Sequence, residues 1–257
     1  MTTSVVDCHY SIIGSGPPLF LIHGIGAAED AWRFMLPKLS KHFSVVTYDL
    51  RGHGKSPVTH KNFTLDELVL DLEQIREKTK FEKAHFAGHS LGGMIAPAYA
   101  LKFPKHTISV GLLSTVAGRS EEDSKKVWNV IHEMEKNGIE KTLQTLTNRW
   151  FTDKFIKNNP DLVERRLKQV IDTDPEVFLN VFKIYAKTEM SPWLKNISKP
   201  CLLLTGENDS GCSPKHNEIM AQEMIKSKLV ILPNYKHSLL IEAPHAVAES
   251  LINFINE

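Results

Sequence analysis

The segment Phe86–Met94 reads FAGHSLGGM and sets one serine between glycines two positions away on each side. A serine hydroxyl is a poor nucleophile near neutral pH. Ser90 gains chemistry only with a base within hydrogen-bond reach and an acid that fixes the tautomer of that base and steadies its positive charge. Both types occur further along: LLLTGENDSG carries Asp209 and VILPNYKHS carries His237, each just after an apolar run of the kind that forms a buried strand. The chemistry would be attack of Ser90 on a carbonyl carbon, with His237 taking the proton and Asp209 orienting His237. The charge that develops on the carbonyl oxygen needs donors. One is the backbone N–H of Leu91, directly after the serine at the start of a helix; the other is the N–H of Ile25, in the HGIG loop after an early strand.

A glycine-flanked serine is weak evidence until its setting is known, because the pattern carries chemistry only where it joins a strand to a helix in a turn so sharp that side chains at the glycines would clash. Here KAHFAG precedes it with a strand pattern and LGGMIAPAYALKFP follows with a helical one that should end near Pro104. Asp209 has a second reading as a turn residue or helix cap, with Glu207 as the substitute acid. His23 reads as a hydrogen-bonded structural histidine rather than a second base. Other motifs fail. RGHGKS has Asp49 where a phosphate loop needs its first glycine, HGIGAAE has Glu29 at the third glycine of a dinucleotide fingerprint, and HEMEK has Lys136 where a zinc-protease helix needs histidine. NFT and NIS match glycosylation acceptors but mean little without a secretion signal. The chemistry therefore calls for no cofactor and no metal.

The elements that must position these residues are short apolar strands alternating with helices: PLFLIHG, FSVVTYDL, KAHFAG, TISVGLLST, KPCLLLTGEND and SKLVILPNY. Continuous apolar strands in such alternation predict a mostly parallel sheet with helices on both faces. TLDELVLDLEQIREKT is predicted helical, with Thr64 and Glu67 placed for a capping box, and HAVAESLINFI as a closing helix. Between Gly118 and Met190 the β-rich runs disappear and helical patterns take over, in EEDSKKVWNVIHEMEKNG, IEKTLQTLTNRWF, PDLVERRLKQVID and PEVFLNVFKIYAK. The expectation is an α/β core over 1–117 and 191–257 with an all-helical cap, 118–190, above the site. In that cap Arg149 and Trp150 have two readings: they face the pocket, where Arg149 would pair with a substrate carboxylate and Trp150 would bound an apolar wall, or they are a solvated charge and a core residue. Trp128 reads as cap packing.

With 257 residues, 42% of them hydrophobic, the chain can bury a sizeable core. Its 31 Lys and Arg nearly cancel 30 Asp and Glu, so nothing suggests the broad basic surface of a nucleic-acid binder, and small molecules are the expected partners. No segment approaches the roughly 20 apolar residues of a membrane span, and MTTSVVDCHYSIIGSGPP is no secretion leader. A cytoplasmic protein is expected. Cys8, Cys201 and Cys212 have neither zinc-ligand nor CxxC spacing and read as free thiols. Oligomeric state is not legible.

Five motifs in order carry a resemblance over essentially the whole chain: HGIG at His23–Gly26, DLRGHGKS at Asp49–Ser56, GHSLGG at Gly88–Gly93, TGENDSGCSP around Asp209 and NYKHSLLIEAP around His237. Together they resemble the α/β-hydrolase superfamily, whose order of nucleophile, acid and histidine matches Ser90, Asp209, His237. The helical stretch NRWFTDKFIKNNPDLVERR is similar to the cap of 3-oxoadipate enol-lactonases and related small esterases, although the elbow lacks the SMGG of those lactonases. The resemblance implies a serine esterase, carboxylesterase or lactonase that cleaves a small ester or lactone through an acyl-enzyme. The same fold also serves carbon–carbon hydrolases of the meta-cleavage type and ligand receptors with slow hydrolysis.

Overall fold

The computed structural model describes residues 5–58 and 62–257. Among them a seven-stranded sheet forms the centre: β1 (Tyr10–Ile13), β2 (Pro18–Ile22), β3 (Ser44–Tyr48), β4 (Ala84–His89), β5 (Thr107–Leu113), β6 (Cys201–Gly206) and β7 (Ser227–Leu232). Their spatial order is β1-β3-β2-β4-β5-β6-β7. Every neighbouring pair is parallel except β1 with β3, where Tyr10 faces Tyr48 and Ile13 faces Val45. The mostly parallel sheet expected from the apolar runs is present. β1 was not anticipated, because YSII is a short edge strand that remains largely exposed and lacks the continuous apolar character of the others.

Alternation along the strands divides the core into two layers. Phe20, Ile22, Val46, Tyr48 and Phe86 point to one face, where they pack with Leu68 and Leu72 of the helix Leu65–Thr79 and with Met94 and Ile95 of the helix Gly92–Lys102. Leu19, Leu21, Val45, Leu202 and Leu204 point to the other, against Trp32 and against Val247 and Leu251 of the helix Pro244–Asn256. The helix Leu65–Thr79 starts with the capping box read from Thr64 and Glu67: the Thr64 hydroxyl accepts from Glu67 N, and the Glu67 carboxylate accepts from Thr64 N at 3.0 Å. That helix also anchors the DLRGHGKS loop. Arg51 is buried and donates from Nε and Nη2 to the two oxygens of Asp71, at 2.6 and 2.7 Å. Asp49, equally buried, accepts from Glu29 N and Lys55 N.

Between β5 and β6 lie the helices Glu121–Asn137, Ile139–Trp150, Asp153–Asn158, Pro160–Ile171 and Pro175–Lys187. Their apolar stripes meet in a cluster of Met134, Leu143, Leu146, Val170 and Phe178. The short helix Asp153–Asn158 escaped the periodicity reading because one and a half turns carry no repeat; Thr152 caps it by accepting from Phe155 N. The base of this helical segment is tied by one carboxylate: Glu189 accepts from Gly118 N and Arg119 N where the chain leaves the sheet, and from Ser191 N where it returns. Cys8, Cys201 and Cys212 are free and buried. Among the described residues no helix is long and apolar enough to cross a membrane.

Candidate active site

Ser90 follows β4 directly and adopts φ +56°, a left-handed conformation that is uncommon for a residue with a side chain and costs of order 1–3 kcal/mol. The turn is held by Ser90 N donating to Leu113 O and Gly93 N donating to Ser90 O, both at 2.9 Å. Its glycines are a steric requirement. A Cβ at Gly88 would lie 1.9 Å from the Gly92 carbonyl oxygen, and one at Gly92 would lie 2.1 Å from that of Ile22. The spacing read from the sequence therefore reflects backbone crowding between β2, β4 and the helix Gly92–Lys102.

Asp209 lies in the turn after β6, 3% exposed, where its Oδ1 accepts from Gly211 N and Cys212 N at 3.0 and 2.9 Å. Its Oδ2 stands 2.7 Å from Nδ1 of His237, in the loop after β7. Burial works to raise the Asp209 carboxyl, but His237 and the two N–H donors outweigh it and hold the pKa below the usual value. Burial likewise pulls His237 down, and the Asp209 charge outweighs it and raises the imidazole above 6.5. Glu207, the alternative acid, accepts from Asn234 N on the outside of the turn. His89, inside the elbow, stands with Nε2 3.0 Å from the His237 carbonyl and its ring centroid 4.9 Å from that of His237. Burial and the neighbouring His237 lower its pKa to about 3, so it is neutral and donates that bond. Among the described residues no hydrogen bond joins the Ser90 hydroxyl to His237.

The HGIG loop is bound at nearly every polar group. His23 is fully buried; its Nδ1 pairs with Gly24 O at 2.8 Å while its Nε2 accepts from Leu50 N at 2.9 Å, the structural role expected of it. His53 Nε2 accepts from Gly26 N, and Ala27 N donates to Gly24 O. Arg166, on the helix Pro160–Ile171, donates to Gly26 O at 2.6 Å and to Ile25 O at 2.9 Å. Among the described residues the Ile25 and Leu91 N–H groups donate to no protein acceptor.

One cavity of about 220 Å³ connects these parts: Ser90, His89, Asp209, His237, Ile25, Arg149 and Trp150 all line it. Leu91 is not on its wall; the side chain is buried behind the elbow. Apolar wall comes from Val127, Val130, Leu146, Phe178 and Phe182, while Trp128 is half-buried beside His132 away from the cavity. Among the polar neighbours on that wall that sequence reasoning missed are Arg119, Arg166, Tyr185 and Cys212. Tyr185 Oη lies 3.5 Å from Cys212 Sγ, and that thiol is within 4.8 Å of the Asp209 and His237 ligand atoms. The trio has the proximity of a metal set, but Asp209 Oδ2 and His237 Nδ1 are already spent on each other. His9, Glu29 and Asp49 also converge, and there the acceptors are shared among Lys55, Thr47 and backbone N–H groups.

A mostly parallel sheet whose central strand turns through a strained serine into a helix, with a carboxylate–imidazole pair in the loops after the last two strands, is an α/β architecture that sets these side chains at one end of the sheet. The family model described as alpha/beta hydrolase fold matches residues 17–244, and the chain belongs to that family. Its curated relatives include 3-oxoadipate enol-lactonase 1 of Acinetobacter baylyi, 28% identical over 94% of this chain and 89% of that one. Another, the (E)-2-((N-methylformamido)methylene)succinate hydrolase of the same organism, is 24% identical over 95% and 92%. Among solved structures, the enol-lactonase from Burkholderia xenovorans superposes with a TM-score of 0.91 at 24% identity, covering 99% of each chain. By family and by relatives the protein is an enzyme, a hydrolase.

Proposed function

We propose that the protein is a serine hydrolase that cleaves a small carboxylic ester or lactone through an acyl-enzyme, under a helical cap formed by residues 118–190. The observation that carries this reading is the strained Ser90 in one cavity with the Asp209–His237 pair. Asp209 occupies Nδ1 of His237, so Nε2 is the nitrogen open to the serine. His237 removes the hydroxyl proton as Ser90 attacks the carbonyl, and the N–H groups of Ile25 and Leu91 take the oxyanion. The protonated His237, steadied by Asp209, returns the proton to the leaving oxygen, and water activated by the same imidazole then releases the acid.

The substrate class rests on three supports: the size of the cavity, the apolar wall with Trp150, and relatives named as an enol-lactonase and as a hydrolase of a substituted succinate. Arg149 lines the cavity and is exposed, so its guanidinium is placed for a carboxylate at the mouth. The test is hydrolysis of short p-nitrophenyl esters and five-membered lactones by the purified protein beside Ser90→Ala. Turnover of short acyl groups that drops by at least about 10³-fold in the variant supports the reading; esterase activity that survives Ser90→Ala overturns it.

A further inference from the structure

Among the described residues Arg166 is the one charged side chain that grips the HGIG loop from the helical side. Its two terminal nitrogens bridge consecutive carbonyls, Gly26 O and Ile25 O, while the guanidinium carbon lies 5.4 Å from the centre of the Trp150 ring. Among the described residues no carboxylate pairs with it. Asp30, the acid whose charge acts on it, is taken by Arg165, Arg33 and Gln169. The same cap surface closes on the loop sterically: a Cβ on Gly26, which has φ +58°, would meet Phe178 at 2.8 Å and Val170 at 3.1 Å.

The loop is thus held from two sides. The core grips it through His23 and His53, and the helix Pro160–Ile171 grips it through Arg166. Among the described residues Ile25 N–H is left without a protein acceptor; it belongs to the peptide whose carbonyl, Gly24 O, His23 holds, and the carbonyl of the next peptide, Ile25 O, is held by Arg166. A donor fixed in this way needs no reorganisation as charge develops on the carbonyl oxygen, and preorganisation is what gives such donors their effect. We propose that Arg166 is a positioning residue: it completes the oxyanion loop from the cap, so that the hydrolytic site is fully assembled only while that helix is seated. This inference rests on the serine-hydrolase reading above, and it adds that the cap contributes to transition-state stabilisation as well as to substrate enclosure.

The experiment compares wild type with Arg166→Met, which keeps length and loses the donors, and Arg166→Lys, which reaches one carbonyl but cannot bridge two. Amide hydrogen exchange at Gly26 and Ala27, whose N–H groups donate to His53 and Gly24 O, reads how firmly the clamp holds the loop. Exchange should quicken on the order of tenfold in Arg166→Met, the factor one lost hydrogen bond carries. On the neutral ester p-nitrophenyl acetate, kcat should fall on the order of 10–100-fold with KM within about threefold, and affinity for a trifluoromethyl ketone, which forms an anionic tetrahedral adduct, should fall in parallel. Arg166→Lys should lie between. A folded variant with wild-type exchange overturns the clamp. Unchanged kcat and ketone affinity overturn its catalytic consequence, as does a loss confined to KM for carboxylate-bearing esters, which would make Arg166 a substrate anion site. Should Arg166→Met fail to fold, Arg166→Lys carries the same comparison. Failure of the underlying reading is separately visible, because wild type would then show no Ser90-dependent turnover while loop exchange still decides the clamp.

Discussion

His237 and Asp209 act as one titrating unit, and the sign of their coupling fixes a pH dependence. An ordinary imidazole titrates near 6.5. Burial lowers His237, but Asp209 outweighs burial, so the folded value lies above that figure. In the proposed mechanism the base is the neutral ring, so kcat/KM should be lost as pH falls through a midpoint above 6.5. Asp209→Asn removes the carboxylate and leaves burial in command: the midpoint should move below 6.5 while kcat falls by about 10⁴-fold. Paired pH–rate profiles check this, and an acid limb that does not move with the substitution contradicts it. At this scale the sequence was informative where chemistry or sterics demand one residue type. Gly88 and Gly92 were legible because no side chain fits, and Asp209 and His237 because each ends an apolar run. Arg166 was overlooked, although it sits at i+3 from Val163 and i−4 from Val170, a charge on the apolar stripe of its helix. Such a misplaced charge is the signal that could have found it.

Elements hold these residues through a few polar anchors as well as through the core. The bidentate Arg51–Asp71 pair joins the loop after β3 to the helix Leu65–Thr79, and both partners are about 1% exposed. Arg51→Ala strands a buried carboxylate and should cost about 3–5 kcal/mol, read as a lower denaturant midpoint at constant slope. A loss under about 1 kcal/mol would show the pair to be solvated and the anchor unimportant. The same contrast explains which elements were legible. The helix Leu65–Thr79 announced itself through period and capping box, and the parallel strands through continuous apolar runs. β1 and the helix Asp153–Asn158 did not, since their placement depends on partners distant in sequence and neither is long enough to show a period.

Across the whole molecule, buried histidines set the acid limit of stability. Burial lowers His23 and His85 to about 4 and His53 and His89 to about 3, below the 6.5 expected once the chain unfolds. Groups depressed in this way contribute stability that is complete above 6.5 and is lost as pH falls towards the folded values, each by about 1.4 kcal/mol per pH unit within that window. His237, with its raised value, acts in the opposite sense but only above 6.5, so it adds no slope in the acid window. Melting temperature should therefore fall steadily from about pH 6.5 to pH 5, and a flat or rising profile there would contradict the hydrogen-bonded, neutral state assigned to these rings. The central claim, that this α/β-hydrolase fold is armed by Ser90, is tested most directly by reaction with a fluorophosphonate followed by peptide mass spectrometry. The account predicts one label per chain, on Ser90, abolished by His237→Ala as well as by Ser90→Ala; a label on another serine, or none at all, would contradict it.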